Sequence, residues 1–421
     1  MEFGLKMIKL FLVFSLMVTE GKQEATLDRI RNEHIIRMPW HGSDPYPDGI
    51  VGLHEEIEDF YNYMVPSMQE HTARLQVVDR IRKSVLAIYP AARVEIYGSF
   101  RTGLHLPTSD IDFVICGKWP TLPFGNLSEA LQHVAKQGSL KVLDKAFVPI
   151  IKLADNVTGI NVDISFNTGG LFKAEIIKRF KKRYPVLPKL FYVVKEFLYQ
   201  RDLNNQYFGG LSSYALSLMV VNFLQQHEDA RESKPNLGVL LVDFFELYGV
   251  QFNYTRTAIR IIDDGAYLLK ENTSCCQGAE LCIEDPFDAN FHVARSSYRI
   301  PTVKKIFEQA YFDLLKSVTP ASGSSFDQPL DNLSILSQIL QVNDKVSDFR
   351  QSIATLFEQS YDQDQDNDVS SDVVTPEDQL HRLIAIQTSA RDVSPKELCW
   401  NPAAFFFANP LPENISALNN E

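Results

Sequence analysis

Gly98-Ser99 and, after a ten-residue spacer, Asp110-Ile-Asp112 are the residues of this 421-residue chain whose types and spacing best fit chemistry. Two carboxylates at i and i+2 of a strand point to one face, about 7 Å apart. That separation suits two Mg²⁺ ions roughly 4 Å apart, the arrangement that serves phosphoryl and nucleotidyl transfer. The Gly-Ser turn offers backbone N–H groups and a hydroxyl, a cradle for phosphate. A third carboxylate belongs on a neighbouring strand, and Gly159-Ile-Asn-Val-Asp163-Ile-Ser-Phe166 supplies Asp163 in a strand-like alternation. Taken singly, Asp-x-Asp caps turns and Gly-Ser is ordinary loop chemistry. Their order along the chain carries the reading.

These groups need a sheet to hold them. Val94, Ile96, Phe113, Val114 and Ile115 frame the motif, and strands are predicted at 93–97, 111–116, 141–147, 149–154 and 160–166, with a helix near 127–137. Upstream, 39–50 is turn-rich. Leu53, Ile57, Phe60, Tyr61 and Met64 then fall at helical spacing up to Pro66, and a second helix is predicted from about 72 to 88, before Pro90. From about 170 the period is helical, over 171–182, 187–200, 212–227, 237–248 and 302–318, so this half reads as all-α. The fold class is α+β: a mixed sheet with its acids at strand ends, a helical second unit, and a cleft between them as the ligand site.

A net charge of −12 argues against a free-standing nucleic-acid binder. RNA contact must then be local or be helped by a basic RNA-binding protein partner. Five cysteines form no CxxC pair, and Cys275-Cys276-x5-Cys282 lacks a histidine at zinc-ligand spacing, so a reducing compartment fits better than a disulfide scaffold. Lys6 and Lys9 precede an apolar run, Leu10–Val18, that resembles a signal peptide but is far too short to span a membrane. No small-x-small cleavage site follows, and 1–38 reads as an extension that does not direct secretion. No membrane association is expected. Residues 360–372 are acidic and poor in apolar side chains, a linker within a C-terminal region spanning 321–421 that also holds a helix at 375–388 and an aromatic run at 403–408. The cluster Lys178-Arg-Phe-Lys-Lys-Arg183 reads as a nuclear-import patch, an RNA track or a solvated helix face.

The order Gly98-Ser99, Asp110-Ile-Asp112, Asp163 resembles the nucleotidyltransferase superfamily of the DNA polymerase beta type. Longer stretches narrow this: Val51–Tyr63, Leu104–Asp112, Val142–Leu153, Gly209-Gly-Leu-Ser-Ser-Tyr214, Gly238–Gly249 and Ile283-Glu-Asp-Pro286 resemble the noncanonical poly(A) polymerases of the Trf/PAP-associated-domain branch. The resemblance covers about 39–320. It implies a palm-like nucleotidyltransferase catalytic domain over 67–169 and a helical PAP-associated central domain over 170–320. The helix at 51–66 would pack with the central domain although it precedes the palm.

The resemblance also implies an activity: template-independent addition of AMP from ATP to RNA 3′ ends, with Mg²⁺ or Mn²⁺, in the nucleus with the cytoplasm as a second location. Carried over by position, Asp110 and Asp112 hold both metal ions. Asp163 completes the metal site and helps activate the RNA 3′-hydroxyl. Gly98 and Ser99 touch the triphosphate. Lys195 pairs with phosphate as a point charge, where the residue alone reads equally as a solvated lysine. Ser213 bonds phosphate or ribose, and Tyr214 stacks on the base, a core role being its alternative. Arg295 lies near the nucleotide. Two departures stand out. Gly169-Gly170 replaces an Asn-Gly pair whose asparagine reads the ribose, so Gly170 remains and the amide is missing. Phe291-His-Val-Ala-Arg295 replaces Asn-Asp-Val-Gly-Arg, and a phenylalanine stacks without reading a base edge. Both predict looser nucleotide choice. The rival readings are an inactive nucleotidyltransferase fold kept as an RNA-binding scaffold, or a terminal transferase with relaxed choice.

Overall fold

The computed structural model describes residues 38–365, apart from 43–44, 147, 168–169, 233, 277 and 320–333. Among the described residues two helices come first, α1 (Gly49–Met64) and α2 (Met68–Ile88). Ser67 starts α2 with a reciprocal cap, its hydroxyl taking the Glu70 N–H while the Glu70 carboxylate takes the Ser67 N–H. A five-stranded sheet follows, built from β1 (Arg93–Tyr97), β2 (Ile111–Cys116), β3 (Lys141–Leu143), β4 (Ile150–Ala154) and β5 (Asn161–Phe166) in the order β1-β2-β5-β4-β3. β2 and β5 run parallel and the other pairs antiparallel. These central strands are buried along most of their length, as continuous apolar runs require. α2, a short helix over Phe124–Leu131, and Ile353 of a C-terminal helix close one face, with Leu75, Val78, Ile81 and Val85 packed on Ile96, Phe113 and Ile164.

The strands at 93–97 and 111–116 form over the residues their alternation marks. The strand read at 141–147 is shorter, ending at Leu143, and the helix near 127–137 begins and ends earlier. The second half contains α5 (Gly170–Arg183), α6 (Leu187–Tyr199), α7 (Ser213–Gln226), α8 (Leu237–Glu246) and α9 (Ile300–Val318), if the helix at 98–102 is counted α3 and that at 124–131 α4. Leu53, Ile57, Phe60 and Met64 of α1 enter the same core as Phe191, Phe197, Phe244, Phe245 and Phe307. The reading of this half as all-α is corrected, because a four-stranded sheet lies within it: β6 (Thr257–Arg260), β7 (Ala266–Leu269), β8 (Cys282–Asp285) and β9 (Asp288–His292), ordered β7-β6-β8-β9. Its strands are four or five residues long. β8 is buried at every position despite two acids, so no alternation announces it.

Residues 360–365, assigned to the acidic linker, instead end the helix α10 (Asp344–Gln365). Arg350 ties this helix to Glu70 at 3.2 Å. The preceding segment is held by the buried Glu56 carboxylate, which accepts from Trp40 Nε1 at 3.0 Å, Ile335 N at 2.7 Å, Leu336 N at 2.9 Å and the Ser334 hydroxyl. Cys276 and Cys282 form a disulfide with Cα atoms 5.6 Å apart, a pairing that the spacing of the cysteines did not announce. Cys275 and Cys116 take part in no disulfide among the described residues, and Cys399 lies outside them. So do the extension at 1–37, the remainder of the acidic stretch and the segments at 375–388 and 403–408. Among the described residues, no helix is long and apolar enough to cross a membrane.

Candidate active site

β1 ends at Tyr97, paired with Asp112, and the chain turns at once into α3 (Gly98–Thr102). Gly98 has φ +64°, where an L side chain is strained, and a Cβ there would strike the Asp112 carboxylate. Ser99 follows inside the turn, its carbonyl accepting from Leu104 N at 3.0 Å and the Thr102 hydroxyl at 3.0 Å. Asp110 immediately precedes β2, and Asp112 faces Asp163 across the parallel β2–β5 ladder. The three sequence-predicted acids thus meet at one end of the two central strands.

Their electrostatics are those of crowded anions. Asp112 is pushed up to about 7, by burial first and then by the charges of Asp163 and Asp110. Burial also raises Asp163, opposed by its hydrogen bond from Lys152. Lys152 sits opposite Asp163 in the β4–β5 register. Sequence reasoning missed it, because the pairing exists only once the strands are aligned. Three carboxylates against two nearby lysines, Lys152 and Lys195, leave negative charge in excess, and hard oxygen donors of this kind fit Mg²⁺ or Mn²⁺. Asp110, Asp112 and Asp163 are the residues that would hold the ions. Such ions, when bound, supply Lewis-acid stabilisation of a transferring phosphoryl group.

The spacer between the glycine turn and the acids is fixed by its own carbonyls. Arg74 Nη2 donates to Pro107 O at 2.6 Å, Lys181 Nζ to Thr102 O at 2.6 Å, Lys195 Nζ to Leu104 O at 2.9 Å and Tyr192 Oη to His105 O at 2.8 Å. Lys195 is 4% exposed, so a solvated lysine is excluded. Burial pulls its ammonium down to about 8, against the attraction of Asp112. The Lys178–Arg183 cluster is partly committed to other residues of the chain: Lys181 as above, and, in exposed pairs, Lys178 to Glu175 at 3.2 Å and Arg183 to Asp264 at 2.7 Å.

Gly170 opens α5 against the Tyr97 ring, where a Cβ would lie 2.4 Å from a ring carbon. Tyr97 in turn is raised by burial and by the Asp112 charge, so α5 begins beside the acids. Ser213 is the first residue of α7, and its neighbour Ser212 provides the cap, accepting from Ala215 N at 3.1 Å. Tyr214 is half-buried, and its hydroxyl has no hydrogen-bond partner. Lys173 was not singled out from sequence. Its Nζ lies 5.0 Å from the Tyr214 ring centre, 5.8 Å from that of Phe291 and 2.9 Å from Asp285 Oδ2. Arg295 is exposed, and its charge lowers nearby His292 after burial has done so first. Its loop reaches Gly209-Gly210 through the Ser297 hydroxyl and the Arg299 N–H, both donating at 2.9 Å. Gly169 lies outside the described residues.

This arrangement has counterparts. Residues 53–182 match the family model described as "Poly(A) RNA polymerase, mitochondrial-like, central palm domain", and 236–291 match "Cid1 family poly A polymerase". The chain is 38% identical over 332 residues to a Drosophila melanogaster protein named inactive noncanonical poly(A) RNA polymerase protein Trf4-2, covering 74% of this chain and 80% of that one. It is 36% identical to poly(A) RNA polymerase cid14 of Schizosaccharomyces pombe, covering 74% of this chain and 48% of that one. Among solved structures, the polymerase core of TRAMP, an RNA surveillance complex, matches with TM-score 0.62 and 33% identity over 69% of this chain and 94% of that one. The mixed α+β fold with its nucleotidyltransferase palm is common to these structures. From the palm motifs through the strand Cys282–Asp285, the chain belongs to the Trf4/Cid14 family of noncanonical poly(A) RNA polymerases.

Proposed function

We propose that this protein is an RNA 3′-terminal nucleotidyltransferase that adds AMP from ATP by a two-metal mechanism. The observation that carries it is the register of Asp112 against Asp163 with Asp110 beside them, an end of two strands where three carboxylates outnumber the lysines Lys152 and Lys195. Gly98, Ser99, Gly170 and Lys195 would bind the triphosphate side, Ser213 and Tyr214 the ribose and base, and Arg295 the approach. Solved relatives include Cid1 poly(U) polymerase with nucleotide and Mg bound, at 24% identity, which supports the fold of the site. The net charge of −12 favours a basic RNA-binding partner, and the polymerase core of TRAMP, an RNA surveillance complex, favours RNA processing as the setting, for which the nucleus is the proposed location.

The test is extension of an oligo(A) primer with Mg²⁺ or Mn²⁺ and each of the four nucleoside triphosphates in turn, with and without a basic RNA-binding protein. Extension is expected with ATP preferred, because purines stack best, but by a narrow margin, since Phe291 stacks without reading an edge. Asp110→Ala with Asp112→Ala should abolish it while the protein stays folded. Absence of extension under all conditions would overturn the reading. The second reading, an inactive scaffold, is favoured by the name of the Drosophila relative. Retention of all three acids, whose mutual repulsion destabilises a site without metal, weighs against it.

A further inference from the structure

Lys173 lies one turn along α5 from Gly170, the residue that lets this helix touch Tyr97 beside the acids. Its partner Asp285 has a side chain only 5% exposed, and the other carboxylate oxygen accepts from Phe287 N at 3.1 Å. A carboxylate so buried is strongly destabilising once its cation leaves, so the ammonium is tethered. Two aromatic faces flank it, Tyr214 at 5.0 Å and Phe291 at 5.8 Å. Tyr214 also packs against the helical core. A base that stacks on Tyr214 must therefore move the ammonium off the ring face, and the tether leaves it against the edge of that base.

Aromatic faces stack on every base and discriminate little. An ammonium carries three donors and no acceptor, so it can donate to a ring nitrogen, N1 or N7 in adenine, or to a carbonyl oxygen, and offers nothing to an amino group. We propose that Lys173 is the base-selecting residue of this pocket: tethered by Asp285 between Tyr214 and Phe291, its ammonium donates to an acceptor on the edge of the nucleotide base. The proposal rests on the reading of this cleft as a nucleotide site.

Calorimetric binding on the full chain with Mg²⁺ and no RNA tests it without turnover. ATP, GTP, CTP and UTP are compared with 1-deaza-ATP and 7-deaza-ATP, in which a ring acceptor becomes C–H. In the unmodified protein one deaza analogue should bind about tenfold more weakly than ATP. Lys173→Met should abolish that difference and draw the four nucleotides together, and Asp285→Asn, which loosens the tether, should reduce it. Should Lys173→Met alone fail to fold, the double variant Lys173→Met with Asp285→Asn removes the unpaired carboxylate and is measured in its place. Unchanged nucleotide ratios with only a lower melting temperature would overturn the proposal and make the pair a clamp between α5 and β8. If the unmodified protein binds no nucleotide, the functional reading itself falls, and this proposal with it.

Discussion

A Cβ placed on Gly98 would lie 2.0 Å from Oδ2 of Asp112, and Gly98 holds φ +64°. Glycine is thus demanded twice, by the backbone and by the carboxylate that rests on it. Gly98→Ala should push Asp112 away from Asp163. A displacement of about 1 Å at a reacting centre commonly costs about 100-fold, and that loss in primer extension is expected. The left-handed backbone adds about 1–2 kcal/mol of destabilisation, read as a lower unfolding temperature. Near-normal extension would show that Gly98 does not set the acid.

Asp112 predicts a pH dependence of stability. Its folded value of about 7 lies above the ordinary 3.8. Between these the folded protein binds more protons than the unfolded chain, so without divalent ions this group's contribution to stability falls as pH rises, and levels off above about 7. A cation that binds the ionised carboxylate should stabilise over the same window. The gain in unfolding temperature on adding Mn²⁺ is expected to be larger at about pH 8 than at about pH 5, and Asp112→Asn should flatten the difference. An equal gain at both ends would contradict the assignment.

Lys195 joins the spacer to the acids, bonding Leu104 O at 2.9 Å while its charge lowers Asp112. Lys195→Met leaves that carbonyl unpaired and is expected to cost about 1–3 kcal/mol. It should also shift the acidic limb of the extension pH profile upward, since Asp112 loses a favourable cation. A stability loss with no shift would mean the lysine serves only the loop.

Glu56 links α1 to the segment at 334–336 through four accepted hydrogen bonds. Glu56→Ala strands several buried donors and should cost about 3 kcal/mol. Limited proteolysis should then cut before α10, whose Arg350 and Ile353 hold it to the palm. Resistance equal to the unmodified protein would show that other contacts hold the C-terminal helix.

Local pattern was enough to announce the strands at 93–97 and 111–116, the long helices, and the acids Asp110, Asp112 and Asp163 in order, because alternation, helical spacing and motif spacing are properties of neighbouring residues. The small sheet was hidden: β8 buries Glu284 and Asp285, and their charges look unlike a strand until Arg260 and Lys173 are seen to neutralise them. The helix α10 was hidden for a related reason, its few apolar positions gaining meaning only from the palm surface they cover. Lys152 and Lys173 are lysines like any other in the sequence, and Lys195 is marked there only by the family resemblance. Strand register sets Lys152 against Asp163, a buried bond to the Leu104 carbonyl holds Lys195 behind the acids, and a partner 112 positions away along the chain, Asp285, places Lys173 between two aromatic rings. Charge pairing over such separations leaves no periodic trace, so only the folded chain decides it.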